Sequence, residues 1–271
     1  MIFSLLSLCV GLSGPSLNGS PQGASAESCT RAAIDLDRPG RIDRNRCDAC
    51  GHCAEACRGG ALRLVGEFWP VEKLAESLLR DAPFYRHSGG GVTLSGGEGT
   101  MFPDYLHFLL LELKAHGMHV TLETCGEFDY EIFARRILPH LDLIFFALKI
   151  LDGEESLRHL GRSNARILQN LRRLLAQDAV EVRTRVPLIP GITDKRENLV
   201  EIVDFLYAAG AKNVSLLPYS PLGRAMYSAL GRPLPPLPPR FTAAENEKEI
   251  AGTFREVIAE KTRQLERTQP E

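Results

Sequence analysis

The sequence predicts an α/β protein built on a parallel sheet or barrel, with a cysteine-rich unit ahead of it. Three observations carry this. From Phe68 onward, apolar residues alternate between helical and strand spacing, with short connectors. One of the strands, "LDLIFFALK", is apolar throughout, as expected when both faces of a sheet are covered. Four of the seven cysteines fall in one short run, "CDACGHCAEACRGG".

The elements follow in order. Residues 1–28 are low in charge and rich in Ser, Gly and Pro, and are expected to be irregular. Residues 29–66 form the cysteine-rich unit. Val71, Leu74, Ala75, Leu78 and Leu79 mark one face of a helix. "GGVTLSGG" reads as a buried strand running into a Gly-rich turn, with a helix entered at Pro103. "HVTLETCG" is the next strand, a helix follows over 128–137, and "LDLIFFALK" comes after it. Ile167, Leu168, Leu171, Leu174 and Leu175 mark a helix, and "VEVRTRVPLI" a strand. Leu199, Ile202, Val203 and Leu206 mark a helix closed by Gly210, before the strand "NVSLLPY". "RPLPPLPPR" is a stiff polyproline spacer ahead of a charged helix over 243–266. The expected division is 1–28, 29–66, a barrel over 67–231, and a spacer with its helix over 232–271. Ligands of parallel α/β folds sit at the C-terminal strand ends. Residues 95–98, 123–126, Lys149, 185–191 and Tyr219 should therefore converge on one face.

Charge excludes some partners. The 271 residues hold 32 Lys and Arg against 34 Asp and Glu, a formal net charge of −2. No basic footprint marks a nucleic acid or a membrane surface, and no run approaches transmembrane length. The N-terminal stretch has an apolar segment and a small-x-small site, Ala24-Ser25-Ala26, but no Lys or Arg precedes Arg31. Export would also let disulfides compete with metal ligation at the clustered cysteines. A cytoplasmic location is expected.

Cys47, Cys50, Cys53 and Cys57 have the spacing C-x2-C-x2-C-x3-C. That suits a 4Fe–4S cluster better than zinc, which usually takes two separated C-x2-C knuckles. A repeat lies inside the unit. Cys57 is followed four and five places on by Ala61 and Leu62; Cys29, 28 residues earlier, is followed at the same offsets by Ala33 and Ile34. In two-cluster ferredoxins the fourth Cys of each run ligates the other cluster. Cys29 reads as the fourth cysteine of a first run whose other positions hold Gly19, Gln22 and Ser25. Cys47, Cys50 and Cys53 with Cys29 can then complete one cluster, leaving Cys57 to a second that cannot form. The fallback is Cys57 as fourth ligand of the first.

"GGGVTLSGGEG" contains "LSGGE", which resembles the ABC-type ATPase signature, but no Lys in the chain follows a Gly, so the phosphate loop is missing. The ordered set "FYRHSGGGVTLSGGE", "LETCG", "DLIFFALK", "GRSN", "RVPLIPGITD" and "LLPYSPLG", preceded by a ferredoxin-like insert, resembles something more particular. It is similar to the glycyl-radical-enzyme activases, a branch of the radical S-adenosylmethionine (SAM) family, over about residues 29–230.

The resemblance implies an incomplete TIM-like (β/α)6 radical SAM barrel, here lacking its first strand, with a ferredoxin-like Cys-rich insert. It implies 4Fe–4S clusters and SAM as cofactors, a glycyl radical enzyme as partner and a flavodoxin- or ferredoxin-type reductant. Gly96, Gly97 and Glu98 match the stretch that meets the SAM amino group. Lys149 and Arg185 match positions that hold its carboxylate, and Glu123 an acidic position near that carboxylate. Three departures stand out. Gly99 follows Glu98 where the family has Pro or a small residue, Ser220 replaces a His or Asn, and Ala147 replaces the Asp that accepts from the ribose hydroxyls. The family's SAM-cleaving cluster sits on C-x3-C-x2-C after the first strand; only Cys9 and Cys29 precede Cys47, and that triad is absent from these residues. Two explanations stay open: a truncated or frame-shifted start, or a decayed member retained for binding. The rival class is a non-catalytic 4Fe–4S electron-transfer or scaffold protein.

Overall fold

The computed structural model describes residues 2–4, 9–12, 26–35, 42–66, 68–230 and 232–268. Along the chain these form β1 (Ile2–Ser4), β2 (Cys9–Leu12), α1 (His52–Glu55), β3 (Leu62–Val65), α2 (Val71–Leu79), α3 (Ala82–Ser88) and β4 (Val92–Ser95). Then come α4 (Pro103–Ala115), β5 (Val120–Thr124), α5 (Tyr130–Arg136), β6 (Leu143–Ala147), α6 (Gly153–Leu160) and α7 (Ala165–Leu175). The last are β7 (Glu181–Pro187), α8 (Arg196–Ala208), β8 (Asn213–Leu217), α9 (Arg224–Ala229) and α10 (Ala244–Thr268). The expected positions of Gly19, Gln22 and Ser25 lie outside the described residues.

Two compact units result: one of Met1–Leu5, Trp69–Tyr219 and Phe241–Glu271, the other of Leu6–Phe68 and Ser220–Arg240. The first holds an open parallel sheet in the order β1-β4-β5-β6-β7-β8. Strands β4 to β8 follow one another with a helix in each crossover, the topology expected from the alternation. At the β4 edge, where no strand is expected from the sequence, Ile2–Ser4 pairs parallel with residues 93–95. A second short ladder joins Cys9–Leu12 antiparallel to Leu62–Val65. So two extended stretches replace the irregularity expected over 1–28. An unpaired strand edge offers a row of donors and acceptors that any extended segment can meet.

Alternation sorts the strand residues onto two faces. Leu94, Leu122, Ile144 and Val182 stand in register across four strands and are buried. They share one core with Leu106, Leu109, Leu110 and Leu113, the fully buried stripe of α4. The intervening residues Ser95, Glu123, Phe145, Ala147 and Arg185 are only half-buried. This corrects the reading of "LDLIFFALK": Ile144 and Phe146 are core, but Phe145 faces an open side covered by an arginine rather than by a helix.

The last helix departs from the expected grouping with the spacer. Its Phe254 and Val257 are buried in the core of the sheet unit, and its Lys261 pairs with Asp204 of α8 at 2.6 Å. Amphipathic spacing hidden under many charges explains this. The preceding 220–240 segment belongs to the cysteine-rich unit, where Arg224 donates to the carbonyl of Leu237 at 2.8 Å. Among the described residues, no helix is long and apolar enough to cross a membrane.

Candidate cofactor sites

At the C-terminal strand ends of the sheet unit, register builds a polar cluster. Phe145 pairs with Glu123 on one side and Arg183 on the other, and Arg185 lies two residues further along the same face. The Arg185 guanidinium rests 3.2 Å from the Phe145 ring centroid and reaches back over it to Glu123 Oε1 at 3.4 Å. Ser95 Oγ donates to the other Glu123 oxygen at 2.9 Å. Glu123 thus links β4, β5 and β7. A cation flattened on an aromatic face keeps several N–H groups for a further acceptor.

Glu98 is held differently from its expected role. Its Oε1 accepts from Thr100 N at 3.3 Å, Thr100 Oγ1 at 2.8 Å and Thr124 Oγ1 at 2.8 Å, and its Oε2 accepts from Cys125 N at 2.7 Å. A carboxylate has about four lone-pair sites. These are largely engaged by the protein, so Glu98 staples the loop after β4 to the loop after β5. The exposed backbone of Gly96 and Gly97, with Gly96 at φ +132°, is left as the accessible acceptor for an ammonium.

Burial, followed by the hydrogen bond and charge of Glu98, pushes the Cys125 thiol up from 9.0 to about 11, while the charge of Lys149 pulls it back. At pH 8 its thiolate fraction should be roughly 100-fold below that of an ordinary thiol of pKa 9.0. Mass-spectrometric mapping should find Cys125 alkylated slowly by iodoacetamide at pH 8, and faster as pH rises toward 11. Labelling at the rate of an exposed cysteine would contradict this environment. Lys149 is half-buried beyond β6, where its neighbour Leu148 donates a backbone bond to Arg185 O at 2.9 Å.

Several positioning residues escape a sequence reading. Asn170, buried on α7, donates to the carbonyls of Gly126 at 2.8 Å and Phe128 at 2.9 Å, pinning the "TCG" loop. Asn198 donates to Lys149 O at 2.9 Å and accepts from Leu151 N at 3.2 Å, and Asn164 donates to Ile150 O at 3.0 Å. Their only signal is an amide on or beside an apolar helix face, which alone says nothing of its partner. Tyr219 is buried, and no printed bond joins it to the strand-end cluster.

In the cysteine-rich unit, the repeat seen in sequence is also a repeat in the backbone. Cys29 N donates to Ala26 O at 3.2 Å and Ala32 N to Cys29 O at 2.9 Å; 28 residues on, Cys57 N donates to Ala54 O at 3.2 Å and Gly60 N to Cys57 O at 3.0 Å. Ala32 and Gly60 both take left-handed conformations, φ +43° and +64°. A left-handed Ala is strained and persists only where its surroundings hold it. Ala49, between Cys47 and Cys50, is a second such residue at φ +59°. Cys53 is buried and its thiol is pushed up, first by burial and then by the charges of Cys29, Cys47 and Cys50. These four cysteines therefore lie within electrostatic reach of one another.

Among the described residues, no three His, Cys, Asp or Glu side chains converge at the spacing of a single metal ion. A cubane is a larger object whose ligand sulfurs stand further apart, and soft thiolates suit its irons. The donor set fits a 4Fe–4S cluster. The strand-end set fits the amino-acid end of SAM less completely: cations and carbonyls are present, but Ala147 offers nothing to a ribose.

Residues 45–206 match the family model described as Radical SAM superfamily, and the chain belongs to that superfamily. Its relatives narrow the class. An isethionate sulfite-lyase activating enzyme of Desulfovibrio desulfuricans is 35% identical over 228 residues, covering 82% of this chain and 72% of that protein. A pyruvate formate-lyase 2-activating enzyme of Escherichia coli is 35% identical over 203 residues, 71% of this chain and 68% of its own length. A benzylsuccinate synthase activating enzyme of Thauera aromatica is 37% identical over 194 residues, 71% of this chain and 58% of its own. The chain falls with these activating enzymes of glycyl radical enzymes. A crystal structure of a domain of pyruvate-formate lyase-activating enzyme from Bacteroides vulgatus shares the fold with a TM-score of 0.50 at 22% identity, covering 62% of this chain and 95% of that one. Streptococcus suis SuiB bound to precursor peptide SuiA gives a TM-score of 0.53 at 16% identity, covering 74% and 42%.

Proposed function

We propose that these 271 residues hold SAM at the strand ends and a single 4Fe–4S cluster in the cysteine-rich unit, but do not cleave SAM reductively. The family task is to place a glycyl radical on a partner enzyme with electrons from a flavodoxin- or ferredoxin-type reductant. The carrying observation is the cysteine inventory: Cys9, Cys29, Cys47, Cys50, Cys53, Cys57 and Cys125 contain no C-x3-C-x2-C. In this reading Arg185, steadied by Phe145 and Glu123, takes the SAM carboxylate together with Lys149. The carbonyls of Gly96 and Gly97 accept from the ammonium, and Glu98 holds their loop in place. A bound 4Fe–4S cluster supplies one-electron transfer. The missing Asp at Ala147 removes an acceptor worth on the order of 1–3 kcal/mol to a ribose, so SAM affinity should be weak.

Incubating the reconstituted protein with dithionite and SAM should give no 5′-deoxyadenosine, while calorimetry detects SAM binding. Robust 5′-deoxyadenosine formation overturns the claim of inactivity. The Ala147 departure favours one rival, a non-catalytic 4Fe–4S electron carrier; a cluster-loaded chain with no measurable SAM affinity would select it.

A further inference from the structure

A cubane takes four sulfur ligands, and the cysteine-rich unit offers five, with Cys29 and Cys57 in equivalent turns competing for the fourth place. The surroundings of the two turns differ. Arg31 Nε donates to Asp48 Oδ2 at 3.1 Å, and Asp48 Oδ1 accepts from Cys50 N at 3.2 Å. One carboxylate therefore clasps the turn of Cys29 to the loop carrying Cys47 and Cys50. Cys29 is itself half-buried, and its Sγ accepts from Ala33 N at 3.3 Å, as a ligand sulfur readily does.

Cys57 lies elsewhere in the packing. It is buried in an apolar cluster with Ile42, Ala61 and Leu62, and its Sγ accepts from Leu62 N at 3.4 Å, at the first residue of β3. We infer that Cys29 is the fourth ligand beside Cys47, Cys50 and Cys53, positioned by the Arg31–Asp48 clasp, and that Cys57 serves as a structural thiol anchoring β3. On ligation each of the four thiols gives up its proton as its sulfur takes iron, and the Cys57 thiol keeps its own. The inference rests on a cluster forming in this unit and is independent of SAM.

The test uses the full chain, reconstituted anaerobically with iron and sulfide, and reads iron per chain and the EPR spectrum. Cys57→Ala should keep the iron of one cubane and the spectrum of the dithionite-reduced parent. Cys29→Ala should lose iron and give, when oxidised, a three-iron signal. Arg31→Gln keeps every ligand and should lose iron several-fold faster in air, while its reduced spectrum is unchanged. If Cys57→Ala does not fold by circular dichroism, Cys57→Ser decides, because its hydroxyl can still accept from Leu62 N–H but ligates iron poorly. Iron for two cubanes in the parent, or cluster loss in the Cys57 variant that folds with retention in Cys29→Ala, overturns the inference. A parent that binds no cluster overturns the proposed cofactor itself, and failure to bind SAM leaves all these readouts standing.

Discussion

Replacing Glu98 with alanine will lower stability by about 3 kcal/mol and reduce SAM affinity at least ten-fold. The change removes the acceptor of four donors: Thr100 N, Thr100 Oγ1, Thr124 Oγ1 and Cys125 N. Thr100 and Thr124 are buried, so their hydroxyls gain little from water, and each unmet buried donor costs roughly 1–3 kcal/mol. The hydroxyls can turn to other partners, which keeps the total below the sum of the parts. Glu98→Gln retains one oxygen and should fall between. Urea unfolding and calorimetry read both effects. An alanine variant with the parent's unfolding midpoint would show that the staple does not support the fold.

The second large effect lies next door. Gly126 sits at φ +84°, and a Cβ there would lie 2.1 Å from Phe146 Cζ. Phe146 is fully buried in the main core, so the ring has nowhere to retreat. Gly126→Ala combines a left-handed backbone penalty of about 1–2 kcal/mol with overpacking of about 1–3 kcal/mol. The expected loss is about 3 kcal/mol, read as a fall in urea midpoint at unchanged slope. Phe146→Leu made alongside should recover part of it, because the two changes meet at one contact. Additive losses would place the cost in the backbone alone, and an unaffected midpoint would contradict the close packing.

Much of the sheet unit is legible in sequence because its helices bury regular stripes. Leu106, Leu109, Leu110 and Leu113 follow the helical period, and all four are fully buried. The strand-end residues Ser95, Glu123 and Arg185 are legible as a group, since a parallel sheet brings alternate residues of neighbouring strands to one face. What escaped depends on partners distant in sequence. An apolar run cannot say whether its second face meets a helix or an arginine, as at Phe145. A Glu after two glycines does not reveal that its oxygens are taken by Thr124 and Cys125, which lie on the next strand and the loop beyond it. The 28-residue repeat is the converse case, a pattern of four side chains that proved to mark matching backbone hydrogen bonds.

The cross-linking of loops by Glu98 and Asn170 bears on how a small molecule would be received. Both loops owe their shape to contacts within the protein, so a guest arriving at the strand ends need not organise them. The entropy of ordering is lost when the chain folds rather than when the complex forms. Such a receptor recognises by fit rather than by closing around its guest, and its selectivity is set before any encounter takes place.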